Sequence, residues 1–256
     1  MYLWSQKWLL SFHPDKLKLL TIKTNKKSFN RTYFVGPYKV QNTQLEKDLG
    51  VEMDPALSFE KHIAGKVKKA KRMVGAIRRS FRYLDHDTFR LLYKSLVRCH
   101  LETSAAVWSP SSRKLIDEIE SVQHQATKML PGMISLPYEE RLRALKLPTL
   151  VSRRWRGDMI QVFKILKGFD DTEVSPALPL VEDRGYNLRG HPLNLKVQRS
   201  IKEIRRNAFP RRVINVWNSL DDGCKDAATV DAFKGNLDRC WANKDIIHNP
   251  NASIDD

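Results

Sequence analysis

From Asp54 onward the chain repeats apolar residues at helical spacing. Phe59, Ile63, Val67, Ala70, Val74, Ile77 and Phe81 recur at steps of 4, 4, 3, 4, 3 and 4, which draws one apolar stripe along a helix. With Asp54 as N-cap and Pro55 in the first turn, the pattern predicts a helix of about 27 residues, about 40 Å long. A second helix is predicted after Asp85 or Asp87, with Phe89, Leu92, Tyr93, Leu96, Val97 and Leu101 as its core face. A third runs from Ser112 to Leu130, turning Leu115, Ile116, Ile119, Val122, Ala126 and Met129 inward, and Pro131-Gly132 ends it. Pro137 and Pro148 read as first-turn prolines of two further helices. The later of these carries Leu150, Val151, Trp155, Met159, Val162, Phe163 and Leu166, with Gly168 as its C′ stop. Residues 169–195 are rich in Asp, Gly and Pro and read as an irregular connection. Helical patterns return at Pro210–Leu220 and Thr229–Trp241, and the last fifteen residues, being polar, are expected to fray.

The first 50 or so residues follow a different pattern. Leu3 to Ser11 suits a short helix, while Lys16–Lys23, Thr32–Val35, Tyr38–Gln41 and Leu49–Glu52 suit short strands. Asn25-Lys-Lys-Ser and Gly36-Pro37 supply turns between them. The expected fold is therefore mainly α, a multi-helix bundle with a small N-terminal antiparallel β element. That element has too little sequence of its own to cover both faces of a sheet. The patterns divide the chain into residues 1–53, the helical region 54–168, and a basic region 169–256 of linker and short helices.

Charge adds a partner to this picture. Lys and Arg number 45 against 29 Asp and Glu, a formal net charge of +16. The excess is segregated: Lys61 to Arg82 holds nine cations and no acid, and Arg184 to Arg212 holds nine more against Glu203 alone. Arg90, Lys94 and Arg98 add a ridge at i, i+4, i+8. Such blocks build a directional field suited to a polyanion, most simply nucleic acid. Three cysteines do not make a disulfide framework. No apolar run approaches the ~18 residues of a membrane span, and the first ten residues lack the basic start of a signal peptide. The expectation is an intracellular protein, cytoplasmic or nuclear, without a membrane partner.

No catalytic constellation follows from the residues alone. Phosphate-cradling glycine motifs and Cys-x-x-Cys spacings are absent from the sequence. Cys99-His100 sit about 100° apart on a helix, and are read as one core and one surface residue rather than a dyad. Asp85-His86-Asp87 reads as a helix cap, and Asp170-Asp171 and Asp221-Asp222 as solvated turns. Cys224 and Cys240 stand apart in sequence. No metal ligands and no catalytic residues are assigned.

Several stretches in order carry a family likeness. They are Trp4-Ser-Gln-Lys-Trp-Leu-Leu-Ser-Phe-His-Pro-Asp-Lys16, Lys47-Asp-Leu-Gly-Val51, Leu57-Ser-Phe-Glu-Lys-His-Ile63 and Tyr93-Lys-Ser-Leu-Val-Arg-Cys-His-Leu-Glu102. Val107-Trp-Ser-Pro110, Ile119-Glu-Ser-Val-Gln-His-Gln-Ala-Thr-Lys128 and Tyr138-Glu-Glu-Arg-Leu142 continue the series. Arg153-Arg-Trp-Arg-Gly-Asp-Met-Ile160 and Phe209-Pro-Arg-Arg-Val-Ile-Asn-Val-Trp-Asn-Ser-Leu220 complete it. Together they resemble the C-terminal part of the reverse transcriptase of non-LTR retrotransposons, the LINE and jockey-like class. Departures are His13 for Asn, Leu17 for Cys, Thr103 for Tyr and Asp221 for Pro.

The resemblance implies a late-palm edge with a primer-grip-like hairpin over 1–53, a thumb-like helical bundle over 54–168 and a C-terminal region beyond. It places Lys16 near the incoming nucleotide, where the bland reading is an exposed strand residue. It matches Leu49, Gly50 and Val51 to the primer grip, where Gly50 equally suits a plain sharp turn. It assigns duplex-backbone contact to Lys66, Lys68, Lys69, Lys71, Arg72, Arg78, Arg79, Arg90, Lys94 and Arg98. In the family, the palm carboxylates that hold Mg²⁺ lie upstream of the Trp-Ser-x-Lys-Trp stretch. The expectation is thus a truncated element that binds an RNA or DNA duplex through its phosphates, holds no cofactor and does not polymerise alone, the missing palm belonging to a longer product. The alternative is a non-enzymatic interaction protein that keeps the helical core.

Overall fold

The computed structural model describes residues 2–22, 31–171, 173, 175–181 and 191–254. It opens with α1 (Tyr2–Lys7), which stops short of Ser11 because Leu9 takes a left-handed φ of 54°. Six short strands follow: β1 (Lys18–Leu20), β2 (Phe34–Val35), β3 (Tyr38–Lys39), β4 (Gln41–Thr43), β5 (Glu46–Asp48) and β6 (Val51–Met53). They form separate two-stranded ladders instead of one antiparallel sheet. β2–β3 and β5–β6 are antiparallel, whereas β1 pairs with β4 in parallel, Lys18 opposite Gln41. Gly36, at φ 59°, turns β2 into β3, and its missing Cβ leaves room for the Tyr2 ring. The expected Asn25–Ser28 turn lies outside the described residues.

Leu49 and Gly50 make the two-residue turn of the β5–β6 hairpin, with φ of 44° and 88°. Positive φ at both central positions is the twist that matches a right-handed hairpin, and Asn-Gly is its preferred pair. Leu49 is 96% exposed, so nothing packs its side chain in return for the strain. Leu49→Asn is expected to raise stability by about 1 kcal/mol. Gly50→Ala is expected to lower it by a similar amount, with urea denaturation as the measurement of both.

The chain divides into two compact units, Met1–Ile63 and Ala64–Asp256. In the first, Ser5, Val51, His62 and Ile63 are the only buried ones among the described residues, while Leu3, Trp4, Trp8, Leu9, Leu10 and Phe34 are exposed. Short two-stranded ladders of this kind do not close a core of their own.

The long helix α2 spans Glu60–Ser80, 21 residues, and begins later than the apolar pattern predicts. Asp54 is the reason. Its carboxylate accepts from the backbone N–H of Ala56, Ser58 and Phe59 and from the Ser58 hydroxyl, winding 54–59 into a tight loop. Leu57 and Phe59 take left-handed φ of 51° and 56°, which no helix continues through. Those hydrogen bonds lower the Asp54 pKa against the opposing effect of burial. From Ile63 the stripe is as predicted: Ile63, Val67, Ala70, Val74 and Ile77 are buried.

Asp85 caps α3 (His86–Leu92), accepting from the N–H of Asp87 and Thr88. The chain then makes a π-helical turn over Tyr93–Arg98 before α4 (Cys99–Glu102). A wider turn shifts the buried face to steps of four, Phe89, Tyr93, Val97 and Leu101. Leu96, predicted for the core, is consequently 39% exposed. Next come α5 (Ala105–Trp108), α6 (Arg113–Thr127) and α7 (Tyr138–Ala144). α8 (Leu150–Leu166) has Thr149 as N-cap and Gly168 at φ 71° beyond its end. Pro137 sits at the cap of α7 and Pro148 one residue before that of α8, just outside the helices they were expected to open.

The sequence step at 168/169 falls inside the second unit. After α9 (Glu203–Asn207), which buries none of its residues, α8 meets α10 (Phe209–Asn218), α11 (Asp222–Lys225) and α12 (Val230–Trp241) around one core containing Met159, Phe163, Val213, Trp217, Phe233 and Leu237. Phe163 and Phe233 stack at 4.3 Å. The polar tail is not frayed as expected. Ile246 and Ile254 are buried, and Thr149 ties to the Ile246 and Ile247 carbonyls at 2.7 and 2.8 Å. Apolar anchors at wide spacing hold a segment whose mean polarity is high.

Candidate nucleic-acid interface

On a helix advancing 100° per residue, the buried residues Val67, Ala70, Val74 and Ile77 fall within an arc of about 80°. Lys68, Arg72 and Arg79 fall within about 40° on the opposite side, with Lys71 and Arg78 on one flank and Lys66 and Lys69 on the other. The sequence thus forces cations outward by the same periodicity that forces Val and Ile inward. Lys68, Lys69, Lys71, Arg72, Arg78 and Arg79 are exposed and Lys66 is partly so. None of them is held in an ion pair among the described residues. Lys68, Lys71, Arg72 and Arg79 rim an open groove of about 670 Å³. Ala64, Val67, Met73, Gly75 and Ala76 also line it, together with one acid, Glu118 of α6.

The field of this face reaches a neighbour. His100 on α4 has its pKa lowered, first by burial and then by Lys69 and Lys66. Two lysines of α2 and a histidine of α4 therefore share one electropositive patch, a proximity that no sequence spacing reveals. Cys99, read as the partner of His100 on core and surface, is itself exposed, its Sγ 3.0 Å from the Ser95 carbonyl.

The ridge of Arg90, Lys94 and Arg98 does not join this face as a row of unpaired charge. Arg90 donates to Asp87 at 2.6 Å. Arg98 is 3.2 Å from Glu102 with its side chain mostly buried, and burial lowers its pKa despite that carboxylate. Glu102 also takes a two-pronged contact from Arg153 at 2.8 and 3.0 Å. Lys94 is exposed, and its pKa is lowered by partial burial and by Arg98, Arg90 and Arg153. The three positions stay on one side, in step with Phe89, Tyr93 and Val97, but carboxylate partners and burial leave Lys94 as the one exposed cation of the ridge.

The second basic block also divides. Arg184 and Arg189 lie outside the described residues. Arg212 is a core residue, pairing with buried Asp158 at 2.9 and 3.0 Å and donating to the Ala106 and Asn207 carbonyls. Arg199, Lys202, Arg205 and Arg206 are exposed.

Lys16 is exposed and ends a 3₁₀ turn, Pro14–Lys16, so it is not a strand residue. Leu49 and Gly50 form the hairpin turn and Val51 is buried at the start of β6. Asp170 is engaged by Gln161 and Lys164, and Asp171 caps the Glu173 N–H. Among the described residues no three His, Cys, Asp or Glu side chains converge into a metal cage. No helix among them is long and apolar enough to cross a membrane. The fold brings Cys224 and Cys240 to 3.7 Å, a proximity invisible at sixteen residues' separation, and burial pushes the Cys224 thiol up to about 12.

No protein-family model, curated protein or solved structure matches the chain.

Proposed function

We propose that these residues bind the phosphate backbone of a nucleic-acid duplex along α2, in the manner of the thumb of a non-LTR retrotransposon reverse transcriptase, with residues 1–53 as late palm and primer grip. The observation that carries the reading is the set of exposed, unpaired cations opposite the buried stripe of α2, four of them lining an open groove. Point charges on flexible stems suit phosphates at irregular spacing and carry no base information, so binding is sequence-independent. The tight Leu49–Gly50 hairpin, which exposes its turn, agrees with a primer-grip role. No catalytic step is assigned to these residues.

His100 gives the test. Phosphates seated on Lys66 and Lys69 cancel the charge that lowers its pKa. Its imidazole, followed by NMR, is therefore expected to titrate higher with saturating duplex than without. An unchanged or lowered value at saturation contradicts occupation of this face.

A further inference from the structure

At the C-terminal end of α2 the chain keeps two aromatic rings in water. Tyr83 is 88% exposed and Phe81 41% exposed. By period, Phe81 continues the buried stripe, yet α2 stops at Ser80 and the ring stays at the surface. The two rings sit in a non-helical link between Ser80 and the Asp85 cap, interleaved with Arg82 and following Arg78 and Arg79, all exposed. Core packing does not account for a tyrosine presented this openly beside three arginines.

We propose that Tyr83, supported by Phe81, stacks on an unpaired base at the end of the duplex that α2 holds. The inference rests on the duplex reading above and extends it from the backbone to a base. The chemistry selects the ligand. Bases within a duplex have no free π face, whereas an unpaired base offers one, and arginines alongside bind its phosphates. Tyr83 lies four residues past Arg79, at most about 14 Å along the chain, so phosphate and base contacts reach neighbouring nucleotides. The preferred ligand is then a duplex carrying a single-stranded extension, bound without regard to base identity.

The test compares a blunt DNA duplex with the same duplex carrying a thymidine tail, by fluorescence anisotropy. The full chain is expected to bind the tailed duplex about tenfold more tightly. Tyr83→Ala is expected to remove that preference and leave blunt-duplex affinity unchanged, and Tyr83→Trp to keep it. With 2-aminopurine as the first unpaired base, stacking quenches its fluorescence in the wild type and not in Tyr83→Ala. Equal affinity of the wild type for both duplexes, or equal weakening of both by Tyr83→Ala, overturns the stacking proposal while leaving backbone binding intact. Failure of the wild type to bind either duplex overturns both.

Discussion

Changing Lys68, Lys69, Lys71 and Arg72 together to Glu is expected to abolish duplex binding, with a loss of at least about a thousandfold at moderate salt. Each substitution replaces +1 by −1, so the formal net charge falls from +16 to +8, and the whole change is placed on one helix face. Two effects add: counterion release is lost at each site, and phosphates now meet carboxylates. The fold is expected to survive, because all four side chains are exposed and none is held in an ion pair among the described residues. Surface substitutions of this kind change stability by only about 0.5 kcal/mol each. A second variant, with half that change in charge, probes cations away from this face. Lys128→Glu with Lys146→Glu, both exposed and off α2, is expected to weaken binding only a few-fold. Anisotropy titrations with circular dichroism as the folding control measure all three proteins.

The second large effect is on stability. Asp158→Ala is expected to cost about 3–5 kcal/mol. Asp158 is 2% exposed and accepts both prongs of the Arg212 guanidinium, which also donates to Ala106 and Asn207 and lies 5.6 Å from the centre of the Phe209 ring. Arg154, also buried, depends on the same carboxylate and on Glu120 for compensation, and burial still drives its pKa down to about 10. One Arg154 nitrogen, Nη1, is buried without a hydrogen bond. Removing Asp158 thus strands two buried guanidiniums at the junction of α5, α8 and α10. Asp158→Asn keeps the shape and removes the charge, and is expected to fall between the wild type and Ala. Urea unfolding of the three proteins checks the order. A cost under about 1 kcal/mol for Ala would mean that the pair is not buried as described.

Much of this architecture was legible because it is periodic. The α2 stripe, the Asp85 cap, the Gly168 stop, and the helices around Trp217 and Phe233 follow from spacing and cap chemistry read locally. What failed did so where a side chain overrode the pattern. Asp54 was a fair N-cap on sequence, but with four donors within five residues it closes a loop instead and delays the helix to Glu60. The π turn after Leu92 has no sequence mark, and it moved Leu96 out of the core, while Asp87 and Glu102 engage two cations of the Arg90–Lys94–Arg98 row. For the candidate site, sequence located the cations of α2 but not which cations elsewhere have carboxylate partners. Arg212 counts as a basic residue in any composition, and only its tertiary contact with Asp158 removes it from the surface, whereas Arg98 pairs locally with Glu102 at i, i+4. The same holds for Cys224 and Cys240, and for the tail, where Ile246 and Ile254 dock in an otherwise polar stretch.

The central claim is that the exposed cations of α2 hold phosphates, and the salt dependence of duplex affinity tests it most directly. If Lys66, Lys68, Lys69, Lys71, Arg72, Arg78 and Arg79 each neutralise one phosphate, the logarithm of the association constant falls with the logarithm of salt at a slope of about −6. That slope is the expected result. A slope near zero, or one that stays the same when Lys68, Lys69, Lys71 and Arg72 are changed to Glu, would contradict it.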